Sequence, residues 1–177
     1  MKKSVKKKIN KNHCKTQKNK SAYYAVCVLH KNPYNVTGII KFKQYKNSNK
    51  VKISYHVKNL SNGKHGFHVH NYGDLTDECN GACSHFNPFH KTHGGPKSKI
   101  RHVGDLGNLV VKNGICKGYF YDSLISLKPN SKCNIIGRSI IVHEDEDDLG
   151  KGGNEESLKT GNAGKRLACG IIGLTNH

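Results

Sequence analysis

Seven side chains have the types and spacing of metal ligands: His68, His70, His85, His93, His102, Asp105 and His143. The first two sit in GFHVH, residues 66–70. Side chains alternate faces in an extended segment, so His68 and His70 project together while Val69 points the other way. Taken alone, the pair fits two solvent-facing histidines as well as two ligands. His85, His93 and His102 fall in one long segment, and Asp105 follows His102 by three residues. Three imidazoles and a carboxylate complete a tetrahedral zinc site with no open position, the pattern of a structural metal. His143 ends the apolar run SIIVH. If its strand neighbours GFHVH, a third imidazole joins the first two, and an imidazole-rich site with an open position suits copper.

Short strands must position these groups. Runs rich in Val, Ile, Tyr and Phe, separated by Gly, Asn, Pro and Lys, predict strands near 23–29, 37–44, 51–57, 65–70, 105–111, 114–121, 138–143 and 168–174. Asn113-Gly114 is a strong hairpin signal. No segment holds a sustained helical period. The expected class is all-β, an eight-stranded sandwich or barrel. Two long segments, 71–104 and 144–166, break the strand spacing and carry most of the histidines and acids. Loops of this length are functional, or are pinned by a metal or a disulfide.

Charge divides the chain. Residues 1–20 hold nine lysines and no acid, half of the formal net charge of +18. Residues 1–21 are expected to be a disordered basic tail and residues 22–177 a single domain. A tail of this kind binds polyanions without sequence preference, and nuclear entry or packing in a virion beside a genome are destinations it would serve. It has no apolar core, so it is not expected to be a secretory signal, and no apolar run is long enough to suggest a membrane span. Seven cysteines cannot all pair within the chain, which favours a reducing, cytoplasmic setting.

The motifs GFHVHNYGD (66–74), HFNP (85–88), HGGP (93–96), RHVGDLGN (101–108), VHE (142–144), DDLGKGGNEES (147–157) and TGNAGKRLACG (160–170) resemble those of copper/zinc superoxide dismutases, in family order. The resemblance runs from residue 23 to about 175. It implies a Greek-key β-barrel of immunoglobulin-like architecture and an enzyme that converts superoxide to oxygen and hydrogen peroxide. It further implies copper on His68, His70, His85 and His143, and zinc on His85, His93, His102 and Asp105, with His85 bridging the two. Asp147 would link His68 to His93, and Cys79 would pair with Cys169. Arg166 would dock the superoxide anion, while Glu155, Glu156 and Lys159 would shape the field at the channel mouth. Tyr72, Gly73, Gly137 and the C-terminal IIGL match segments of the family's homodimer interface. A copper chaperone is a further partner that membership would allow.

Other groups receive plainer readings. His65 is expected to be a hydrogen-bonding structural histidine and His90 to be solvent-exposed. His13, His30, His56 and His177 have no evident partner. Cys27 reads as a buried small hydrophobe. Cys83 departs from the family pattern and, four residues after Cys79, opens a mispaired disulfide or an adventitious ligand as alternatives. GNAGKR (161–166) lacks the Ser or Thr and the helix that a phosphate loop needs.

Overall fold

A computed structural model describes residues 22–30 and 32–176. The expected basic tail lies outside them, as do His13 and His177. Eight strands follow one another as β1 (Ala22–Val28), β2 (Thr37–Tyr45), β3 (Val51–Lys58), β4 (Gly63–His70), β5 (Asp105–Val111), β6 (Ile115–Asp122), β7 (Ser139–His143) and β8 (Arg166–Leu174). Each lies within about two residues of its expected span. The two helical turns, Asn80–Ala82 and Ser157–Thr160, are too short to leave a period in the sequence.

All pairings among the strands are antiparallel, in the order β5-β4-β7-β8-β1-β2-β3-β6. The outermost strands β5 and β6 are joined by the turn at Asn113 and Gly114, so the sheet curls into a nearly closed barrel. Both turn residues have positive φ, 52° and 75°, as the expected hairpin requires. The chain crosses between halves from β3 to β4 and again from β6 to β7, which is the Greek-key connection.

The barrel interior is filled by alternate residues such as Ile40, Phe42, Ile53, Phe67, Val69, Leu109, Ile140, Val142 and Ile172, all inaccessible or nearly so. Burying each large apolar side chain stabilises the fold by about 1.5–3 kcal/mol. Cys27 is among them, and burial pushes its thiol up to about 12. A smaller cluster of Cys79, Ala82, Ile141 and Cys169 lies under the first long loop, where Cys79 and Cys169 are disulfide-bonded with Cα atoms 5.7 Å apart. Cys83 is a free, exposed thiol and takes no part in that bond.

Candidate metal centre

With Phe67 and Val69 committed to the core, β4 turns His68 and His70 to the outer face of the barrel. The pairing of β4 with β7 sets His68 opposite Ile141, two residues from His143, and β7 sets His143 opposite Arg166 of β8. His85 arrives from the loop after the Asn80–Ala82 turn, bridged to His70. One ligand atom from each of His68, His70, His85 and His143 lies within 4.8 Å of the other three, and all four residues are buried.

Each strand imidazole is oriented by its far nitrogen. His68 Nε2 donates to Asp147 Oδ2 at 2.9 Å, His70 Nδ1 to the Cys83 carbonyl at 2.7 Å, and His143 Nδ1 to the Gly164 carbonyl at 3.1 Å. The opposite atoms, His68 Nδ1, His70 Nε2 and His143 Nε2, are buried without a hydrogen-bond partner. Burial holds all three rings below the usual histidine range, His143 at about 4, so these atoms carry lone pairs near neutrality. Buried orphan lone pairs converging on one point fit a cation.

A second group, His85, His93, His102 and Asp105, shares His85 with the first. Asp105 Oδ1 lies 2.9 Å from His85 Nδ1, 3.0 Å from His93 Nδ1 and 3.2 Å from His102 Nδ1. The His85 and His102 Nδ1 atoms are 3.5 Å apart. Bonds of the length zinc makes to nitrogen and oxygen give a tetrahedron with edges of about 3.3 Å, and these four separations fall close to that length. His93 sharpens the fit. Its Nε2 meets Asp147 Oδ1 at 2.7 Å, and its Nδ1 faces Asp105 without a hydrogen bond. Burial alone would lower its pKa, but the two carboxylates outweigh burial and raise it to about 9. A metal ion held by His93 Nδ1 and Asp105 would supply the positive charge that this arrangement favours. Asp105 is held far below the usual carboxylate range, since its three imidazoles outweigh the burial that would raise it.

Asp147 therefore joins the two groups, one oxygen to each. Its backbone is clasped by Asn108, whose Oδ1 accepts from the Asp147 amide and whose Nδ2 donates to the Asp147 carbonyl, both at 2.8 Å. A Cβ on Gly161 would stand 2.1 Å from Asp147 Oδ1, so only glycine admits the carboxylate there. Asp148, which sequence reasoning passed over, gathers the amide of Gly150, the hydroxyl of Ser157 and the side chain of Asn162. It builds the turn that closes over the site. Its signal was its place in the DDLGKGG motif, beside the acid that was recognised.

A cavity of about 970 Å³ opens over the first group and is lined by His70, His85, His143, Glu156, Lys159 and Arg166 among others. Arg166 donates to the Cys79 carbonyl and the Cys83 carbonyl, each at 2.7 Å, so the disulfide-bonded loop aims it. Glu155 pairs with Lys159 at 2.6 Å on the exposed rim. His65 is buried and bonds the His143 carbonyl at 2.9 Å, whereas His30, His56 and His90 are exposed and away from both groups.

The family model for copper/zinc superoxide dismutase matches residues 36–172. The chain belongs to that family. It is 63% identical over 144 residues to the copper-zinc superoxide dismutase of Paramecium bursaria Chlorella virus 1, covering 80% of this chain and 75% of the relative. The enzyme of Saccharomyces cerevisiae is 53% identical over 155 residues, 86% of this chain and 98% of the relative. An extracellular copper-zinc superoxide dismutase of Brugia pahangi is 52% identical over 156 residues, 85% of this chain and 76% of the relative. As a copper/zinc superoxide dismutase, the chain is an oxidoreductase that converts superoxide to oxygen and hydrogen peroxide.

Proposed function

We propose that this dismutation runs on copper held by His68, His70, His85 and His143, beside zinc held by His85, His93, His102 and Asp105. The observation that carries the assignment is His85, which belongs to both groups. Its Nδ1 faces Asp105 and its Nε2 remains for the other group, so one imidazole would serve both metals, a nitrogen to each. When bound, copper supplies one-electron chemistry, oxidising one superoxide and reducing the next, and zinc supplies fixed positive charge. Arg166 docks the anion with a charge that does not titrate near neutrality. Glu156 and Lys159 line the cavity and Glu155 pairs with Lys159 at its rim, so these charges shape the field the anion meets. Two superoxides and two protons yield one oxygen and one hydrogen peroxide. Whenever its Nε2 is free of metal, His85 would hold one of those protons there while Asp105 keeps its Nδ1 side fixed, and water in the open cavity would deliver the other. Asp147 keeps the rings of His68 and His93 in register throughout.

Metal analysis with a dismutase assay tests the assignment. The purified protein should contain both metals, and His143→Ala should abolish activity while zinc stays bound. Full activity in a verified copper-free preparation overturns it.

A homodimer is the second part of the proposal. Tyr72, 58% exposed, and Ile171 flank Gly73, which approaches Gly137 so closely that a Cβ would meet its carbonyl oxygen at 2.3 Å. An exposed apolar patch on a rigid, close-packed seam suits a self-complementary contact. A single species at monomer mass in sedimentation velocity would sink it. Cytoplasmic residence suits the free thiols of Cys27, Cys83, Cys116 and Cys133, and there a copper chaperone would load the site. The Lys-rich tail is proposed to bind polyanions, which heparin retention before and after deletion of residues 1–20 would test.

A further inference from the structure

The half of the barrel away from the metal centre carries a surface that superoxide chemistry does not use. Strands β1, β2, β3 and β6 are neighbours in the sheet. Their only acidic residue is Asp122, which is buried in an ion pair with Arg101. No Asp or Glu occurs before Asp74 in the whole sequence. Alternation turns the odd positions of β2 and β6 and the even positions of β3 outward. The register then lines up two rows across the face, Lys41–Ser54–Tyr119 and Lys43–Lys52–Tyr121. Lys58 and Lys117 extend it. Among the described residues, none of these lysines forms an ion pair with an acid.

The aromatic residues are as notable as the charge. Tyr119 is 63% exposed and Tyr121 58% exposed. Exposed tyrosine rings without a covering loop lose apolar contact that a ligand could supply. Two residues apart on one strand, their ring centroids are 6.1 Å from each other. Lys52 Nζ stands 4.2 Å from the centre of the Tyr119 ring, so cation and ring form one unit. A groove of about 780 Å³ crosses the same face, lined by Ile39, Lys41, His56, Lys117 and Tyr119.

We propose that this outer face of β2, β3 and β6 binds single-stranded nucleic acid, with Lys41, Lys43, Lys52 and Lys117 on the phosphates and Tyr119 and Tyr121 stacked on bases. The lysines alone would suit any polyanion. The tyrosines select a ligand that alternates charge with flat apolar rings, and in a duplex those rings are hidden by pairing and stacking. Twisted sheets bearing aromatic residues within a basic field are a recurring platform for single strands. The basic tail is poorly equipped for the second component, because residues 1–21 contain no Phe, Tyr or Trp and a single imidazole, His13.

The experiment compares the full-length, metal-loaded protein on two labelled oligomers, an oligothymidylate of about twelve nucleotides and an abasic strand of equal length. Both carry the same charge, so tail and lysines treat them alike. The oligothymidylate should bind at least about tenfold more tightly, the effect of one or two stacked bases. Tyr119→Ser with Tyr121→Ser should bring that ratio to about one, with metal content and dismutase rate unchanged. Tyr119→Phe with Tyr121→Phe should keep the ratio, which separates stacking from any loss of fold. Lys41→Gln with Lys117→Gln should weaken binding of both strands and flatten the log–log salt slope by about 1.4. Equal affinity of the unaltered protein for the two oligomers overturns the proposal in favour of charge alone. So does a ratio that survives the Ser variant, or a duplex bound as tightly as the single strand.

Discussion

The two halves of the barrel obey the same alternation, yet their outer faces have opposite fates. On β4 and β7 the outward residues include His68, His70 and His143, and the segments 71–104 and 144–165 cover them. The cover is fastened by main-chain bonds from Gly66 to Asp145, from Asp145 to Ala163 and from His93 to Leu158. On β2, β3 and β6 the outward residues include lysines and tyrosines, and among the described residues they stay exposed or half-buried. Covering decides the chemistry. Dry imidazoles are driven to the neutral form that a metal needs, whereas the lysines of the open face keep their contact with water. One face is a site because it is sealed, and the other offers a surface because it is not.

The largest expected effect comes from loosening the seal. The Cys79–Cys169 disulfide spans 90 residues, and in the chain-entropy model such a loop stabilises the fold by about 4–5 kcal/mol. Cys79→Ser should lower the urea-unfolding free energy of the metal-loaded protein by about that amount. It should also slow dismutation, because Arg166 is aimed by the Cys79 carbonyl. Equal stability of the variant and the unaltered chain would mean that metal and core hold the covered half without the cross-link.

Asp147 tests the seal from inside. Asp147→Ala removes the acceptor from both His68 and His93 and should weaken metal retention against a chelator about 10- to 100-fold. A retention curve unchanged by this substitution would assign ring orientation to packing alone. Next comes the mouth. Arg166→Glu reverses a charge beside His143 and should slow the enzyme about tenfold or more, with the salt dependence of the rate reversed in sign. An unchanged rate would remove Arg166 from the docking role.

Much of this division was legible in the sequence because both causes are local. Alternation in YAVCVLH, GIIKFKQ and VKISYHV marks strands, and the Asn113-Gly114 pair marks its own turn. The spacing of His85, His93, His102 and Asp105 points to a zinc site without any knowledge of the fold. What stayed hidden depends on partners distant in the chain. Asn108 meets Asp147 across 39 residues, so nothing near either residue announces the clasp. The outer face stayed hidden too, because β6 pairs with β3 across the insertion of β4 and β5. Tyr119 and Lys41 look unrelated until that register is known. Asp148 was obscured differently, since one acid in EDEDD looks like another until burial separates them.

The smallest expected effect reads the bare face directly. Lys43 and Lys52 stand opposite each other on adjacent strands and both point outward. Like charges in that position repel, a small effect that water and salt screen. Their ammonium groups are partly occupied by rings, Lys43 over Tyr45 at 4.7 Å and Lys52 over Tyr119 at 4.2 Å, which tempers the repulsion without removing it. Raising the salt from about 0.01 M to 0.15 M shortens the screening length from about 30 Å to about 8 Å. Attractive surface pairs such as Lys64–Glu146 lose strength over that range, while repulsion among the unpaired lysines is relieved. With lysines on this face outnumbering its acids, relief should win, and the thermal midpoint of the metal-loaded protein should rise slightly with salt. Lys43→Gln should reduce that rise without changing dismutation, because the substitution lies on the half that holds none of the proposed ligands. A midpoint that falls with salt would show that the exposed ion pairs, not the lysine face, set the electrostatic balance of the surface.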